Sequence, residues 1–212
     1  MSETTTIEPA AELPSSDLVE EVKAGLLELA DVRRRARETL GGLRPEQWSW
    51  KPSRERWSAG EVIAHINQTN RMYFTAIDDA IRKGKERRMF SRGPYRHGKM
   101  GEFILRAMEP PPRRRFRAPR VFAPPVGEAG LAALQEYEEL FARAASLLRE
   151  ANGLDLGKVH IVSPASRFVR IGLGQAFRLV AAHGRRHLWQ IQRILQEPGF
   201  PRGAASDAKS RA

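Results

Sequence analysis

Ser58-Ala59-Gly60-Glu61-Val62-Ile63-Ala64-His65-Ile66 is the stretch from which the fold can be read. A serine followed three residues later by a glutamate is a capping box: the hydroxyl accepts from the amide at Glu61, and the carboxylate reaches back to the serine amide. The pattern predicts a helix from about Ala59, and Val62, Ile66, Tyr73 and Ile77 carry one apolar stripe along it as far as Gly84. His65, Thr69 and Met72 fall on or beside that stripe. An imidazole is therefore expected to face inward among aliphatic side chains.

Working outward, the same period recurs three times. From Ser15 to Leu40 it is carried by Val19, Val22, Leu26, Leu29, Ala30 and Leu40, with Ser15, Ser16 and Asp17 as candidate caps and Gly41-Gly42 as the stop. From about Glu128 to Glu150 the expected buried stripe is Leu131, Leu134, Leu140, Phe141, Ala144 and Leu148, ended by Asn152-Gly153. From about Leu173 to Gln196 it is Phe177, Val180, Ala181, Leu188, Ile191 and Ile194, stopped by Pro198-Gly199. Three connections separate these helices. Leu43 to Trp57 holds Trp48, Trp50 and Trp57 and suits an ordered segment capping one end of the core. Lys83 to Arg120 carries thirteen arginines and lysines around one short amphipathic piece from Gly101 to Met108, and reads as a long crossover. Leu154 to Ile171 turns at Ser163-Pro164. The expectation is an all-α four-helix bundle over residues 15–199, with disordered tails at 1–14 and 200–212.

Length and composition agree. The 212 residues suffice for one domain with a sizeable core. Apolar residues are 41% and charged residues 29%, with no apolar run near the ~20 residues of a membrane span. No basic segment followed by an apolar core opens the chain, so a cytoplasmic setting is expected. The absence of cysteine removes disulfides, thiolate nucleophiles and every cysteine-ligated zinc pattern. Any metal must be held by histidine or carboxylate. A formal charge of +11 raises nucleic acid as a partner, and Arg113-Arg114-Arg115-Phe116-Arg117 could meet phosphates and stack on a base. No helix-turn-helix or RRM pattern frames that run, and no glycine-rich phosphate loop occurs.

His183 and His187 are four residues apart on the closing helix, so their imidazoles lie one turn apart on a single face. Their stripe (Ala176, Val180, Ile191, Ile194) points inward, as does that of His65. Three neutral imidazoles could meet in the interior and hold zinc, nickel or a similar ion with a position left open. The spacing also fits histidines satisfied by backbone carbonyls. Gly184, Arg185 and Arg186 stand between the pair, so the H-E-x-x-H glutamate of zincin proteases is missing. Glu61, one turn before His65, could orient that imidazole or act as a proton acceptor, but its cap role already accounts for it. Thr69 and Gln190 could line the open position. His97 and His160 fall in connections where a solvated histidine is usual, and Tyr73 reads as core.

Two segments resemble the signatures of the DinB-like (YfiT-like) family of metal-binding four-helix bundles, which is distinct from the DNA polymerase sharing the name. The first is Gln47-Trp48-Ser49-Trp50-Lys51-Pro52 followed by Trp57 to Ile66; the second is Ala182-His183-Gly184-Arg185-Arg186-His187-Leu188-Trp189-Gln190-Ile191. With Ser163-Pro164 between them, the resemblance spans Leu18 to Gln196. It implies an up-down-down-up bundle, a divalent metal on His65, His183 and His187, and homodimers. Relatives include thiol S-transferases using bacillithiol or mycothiol, and others described only as metal-dependent hydrolases. The resemblance thus implies a small-molecule enzyme with an external low-molecular-weight thiol as cosubstrate, or a hydrolase. A stress-associated or nucleic-acid-binding bundle with a structural metal ranks second. Gly184 departs from the family pattern, in which an acidic residue often follows the first histidine of the closing pair.

Overall fold

The computed structural model describes residues 17–112, 120–124 and 130–202. Ser15, Ser16, the arginine run from Arg113 and most of both expected tails lie outside these residues. Four long helices form the body: α1 (Glu20–Leu40), α3 (Ala59–Glu86), α5 (Leu131–Glu150) and α6 (Leu173–Leu195). Short helices α2 (Pro45–Ser49) and α4 (Lys99–Met108) and a 3-10 turn (Arg120–Phe122) lie in the connections.

Each long helix packs against two others: α1 and α3 are diagonal across the bundle, with α5 and α6 filling the other two corners. Arg37 meets Glu138, and Asn152 reaches back to Val19, so α1 and α5 are antiparallel. Asn67 bonds Ala133 and Lys85 bonds Glu150, so α3 and α5 are parallel. Glu21 lies against Gly174 and Glu28 meets Arg185, so α1 and α6 are parallel too. The order is up-down-down-up, and α3 runs antiparallel to α6. Two sequential helices of opposite sense thus become diagonal, and the third must follow the direction of the second. This is why the chain needs the long crossover between α3 and α5.

The helix ends follow their sequences with one substitution of means. Ser58 and Glu61 form the expected box at α3. Asp17 does not cap α1 with its side chain; the N-cap is Val19, whose side chain offers no acceptor. The Val19 amide donates instead to Asn152 Oδ1 (3.0 Å), and Asn152 Nδ2 donates to the Asp17 carbonyl (3.2 Å). The cap comes from 133 residues away, beside Gly153, whose φ of +89° ends α5. Asn152→Ala is expected to cost about 1 kcal/mol in denaturant unfolding, as for other lost N-caps. An unchanged midpoint would show that the amide is served equally well by water.

The core runs through all four helices, with Tyr137 and Phe141 stacked at 4.4 Å. On α5 the buried face is Ala133, Leu134, Tyr137, Phe141, Ala144, Leu147 and Leu148, whereas Leu131 is exposed and Leu140 only partly covered. The expected stripe was misplaced at its start because Leu131 is the first residue of the helix, outside the reach of its neighbours. The connection Leu154 to Ile171, expected to be irregular, contains an antiparallel hairpin of β1 (His160–Val162) and β2 (Arg170–Gly172). Its paired Ile161 and Ile171 are buried. Strands of three residues are too short to show alternation in sequence. Phe200 is buried edge-on against Trp50, so packing continues past the closing helix. No helix among the described residues is long and apolar enough to cross a membrane.

Candidate metal centre

Because α3 and α6 run antiparallel, one histidine on the first comes level with two on the second. The His65 ring centroid lies 5.2 Å from that of His183 and 4.7 Å from that of His187, and the two α6 rings are 4.5 Å apart. One nitrogen from each ring lies within 4.8 Å of the other two. Among the described residues no other group of three histidines or carboxylates converges in this way.

Hydrogen bonds fix which nitrogens face each other. His65 Nδ1 donates to the Phe122 carbonyl at 2.6 Å, and His187 Nδ1 donates to Gln190 Oε1 at 2.9 Å. Both acceptors are oxygens, so the proton sits on Nδ1 and the Nε2 lone pair is left for another partner. This is the outer support that metal-ligating histidines use. Burial pushes the His65 pKa down, partly countered by the Phe122 carbonyl. Burial, then the neighbouring imidazoles, holds His183 well below its ordinary value. His187 is lowered to about 3, by burial first and His65 second. All three rings are neutral at pH 7 and need release no proton to coordinate. The donor set therefore fits a borderline divalent ion.

The supporting residues sort differently from their sequence readings. Glu61 is a cap: Oε2 accepts from the Ser58 amide (2.8 Å), and Oε1 is 2.6 Å from Lys51 Nζ. It makes no hydrogen bond to the imidazoles. Thr69 lines the site, but its hydroxyl donates to the His65 carbonyl (2.8 Å). Gln190 lines it too and acts by holding His187. Gln190→Leu is expected to weaken zinc binding roughly 10- to 100-fold in competition titrations with a chromophoric chelator, the usual effect of removing an outer partner. An unchanged affinity would remove that role. His97, expected to be solvated, pairs with Glu21 at 2.9 Å, while His160 is exposed.

A cavity of about 1070 Å³ surrounds the histidines. Beyond them toward the C-terminal end of α6 it is lined by Arg56, Trp57, Trp189, Arg193 and Glu197. Toward the opposite end it is lined by Asn70 and Tyr73 of α3 and by Leu179 and Val180 of α6. Trp57 also packs on the His65 ring, 5.0 Å between centroids.

A family model described as the DinB superfamily matches residues 28–191. The chain belongs to that superfamily. No curated protein and no solved structure matched the chain in parallel comparisons. All three histidines of this DinB-superfamily bundle fall inside the matched span, and the three-His cluster fits a metal-binding site. Two contributors had escaped the sequence reading. Phe122 acts through its backbone carbonyl, which no side-chain pattern reveals. Asn70 did leave a signal: it is a polar residue in the row Ile66, Asn70, Tyr73, Ile77, otherwise apolar or aromatic at helical spacing.

Proposed function

We propose that this protein is a metal-dependent transferase that joins an external low-molecular-weight thiol to an electrophilic small molecule. The observation that carries it is three neutral, inward-facing imidazoles in a large cavity whose carboxylates are all engaged. Among the described residues lining it, Glu197 pairs with Arg56 at 2.6 Å and Glu55 accepts from Ser53 at 2.8 Å. Hydrolysis by activated water is commonly assisted by a general base held near the centre, and among the described residues no unengaged carboxylate lines the cavity. A bound divalent ion of this kind favours the thiolate form of a coordinated thiol without a protein base.

The chain has no cysteine, so the sulfur comes from outside. A cytoplasmic setting, where thiols are kept reduced, suits that supply. The protein's own residues position the reaction. Phe122 and Gln190 hold two of the imidazoles by Nδ1, Trp57 covers the His65 ring, and the cavity lies at the upper end of the ~300–1,000 Å³ typical of small-molecule sites.

The test is metal analysis of purified protein, then a screen of zinc-, nickel- and cobalt-loaded samples with bacillithiol, mycothiol and other small thiols against chlorinated and epoxide electrophiles. Thiol consumption that requires both metal and electrophile is expected. Turnover of the electrophile at the same rate without thiol would make it a hydrolase, and failure to bind a divalent ion would remove the reading altogether.

A further inference from the structure

Asn70 is 1% exposed, lines the cavity, and its Nδ2 has no hydrogen-bond partner among the described residues. An amide donor buried without a partner costs about 1–3 kcal/mol, so its retention in a cavity wall calls for a ligand that completes it. Tyr73 lies three residues on, on the same face of α3, and also lines the cavity. Its hydroxyl is 2.9 Å from Ser163 Oγ. Ser163 Oγ already accepts from the Ala165 amide at 3.2 Å, so its own hydrogen can go to Tyr73, freeing the phenol hydrogen for the cavity. Burial raises the Tyr73 pKa, which keeps that hydrogen in place.

These donors are displaced along α3 from His65 by about 7.5 and 12 Å, at 1.5 Å per residue. The facing wall, Leu179 and Val180, is aliphatic. The geometry points to Asn70 and Tyr73 as the specificity-determining pair that binds a carboxylate or carbonyl oxygen at the far end of an elongated, apolar-centred substrate whose reactive end lies at the three histidines. This deepens the proposed function and rests on it. Both donors are neutral, so they accept a carboxylate or an amide carbonyl alike and discriminate against a chain that ends in a methyl group.

The probe is 6-mercaptohexanoate, with 6-mercaptohexanamide, mercaptoacetate and hexanethiol as comparisons, titrated into cobalt-loaded protein and followed by the sulfur-to-cobalt charge-transfer absorption. The six-carbon carboxylate or its amide is expected to bind about 10- to 100-fold more tightly than hexanethiol, which has the same chain length and ends in a methyl group, the gain of a buried hydrogen-bonded acceptor. Mercaptoacetate, too short to reach, should show no such gain. Whichever of acid and amide binds better identifies the acceptor. Asn70→Leu, close in volume and free of the unpaired donor, should take up cobalt normally and lose the preference, and Tyr73→Phe should reduce it. A preference unchanged in Asn70→Leu, or absent from the wild type, overturns the pair's role while leaving the metal reading intact. Failure of wild-type protein to take up cobalt overturns that reading first.

Discussion

His187→Ala is expected to abolish stoichiometric zinc binding while leaving the metal-free bundle close to wild-type stability. The imidazole lines an existing cavity and is already neutral, so truncation widens a space that is present and removes a buried polar group, without opening a new void in the core. Two ligands, one of them without an outer partner for its Nδ1 among the described residues, remain. Wild-type protein should gain about 4 kcal/mol of stability at zinc concentrations a thousandfold above Kd, and the variant nothing. Thermal melts with and without zinc, alongside inductively coupled plasma analysis, check this. His160→Ala is the control, since that ring is exposed and does not line the cavity. A zinc-dependent shift that survives in His187→Ala would mean that the ion binds elsewhere.

Much of this centre was legible in the sequence because it rests on helical period. His183 and His187 share a face whenever the segment is a helix, and the capping box at Ser58 set the start of α3 and with it the facing of His65. Which helices are neighbours was not legible by period. Convergence came from the diagonal placement of α1 and α3, which depends on the path of the crossover, and there the family resemblance supplied what spacing could not. The crossover had another consequence hidden from the sequence. A segment notable for its arginines contributes to the site through a backbone carbonyl at Phe122, and a carbonyl is carried by every residue type. The three-residue strands and the remote cap at Asn152 were hidden for the same reason: each is a tertiary solution to a local need, the pairing of backbone groups.

Gly184 shows the opposite case, a local oddity with a tertiary cause. It sits between the two α6 ligands, where the family often has an acid, and glycine inside a helix costs about 1 kcal/mol relative to alanine. A Cβ built there would lie 2.7 Å from Val32 Cγ1 on α1 and 3.0 Å from Phe141 Cζ on α5. Position 184 faces the other two helices, away from the imidazoles, and an acid in it would bury its charge among apolar atoms. The absence of an acid therefore removes no ionic support from the metal centre. It allows α6 to approach α1 closely and leaves room for the Phe141 ring that reaches across the core from α5, while its opposite face presents His183 and His187 to α3. Gly184→Ala should lose about 1 kcal/mol net, the helical gain offsetting part of an overpacking cost of about 1–3 kcal/mol. Gly184→Val adds two γ-carbons against a stacked aromatic pair and should cost about 3 kcal/mol, or roughly 10 °C in Tm for a chain of this size. Relief of that clash pushes α6 toward α3, so zinc affinity should fall as well, although no ligand has changed. Melts in chelator and zinc titrations separate the two effects. A Gly184→Val protein with wild-type Tm would show that α1 and α5 yield freely, and the close approach would then not be what places the histidines.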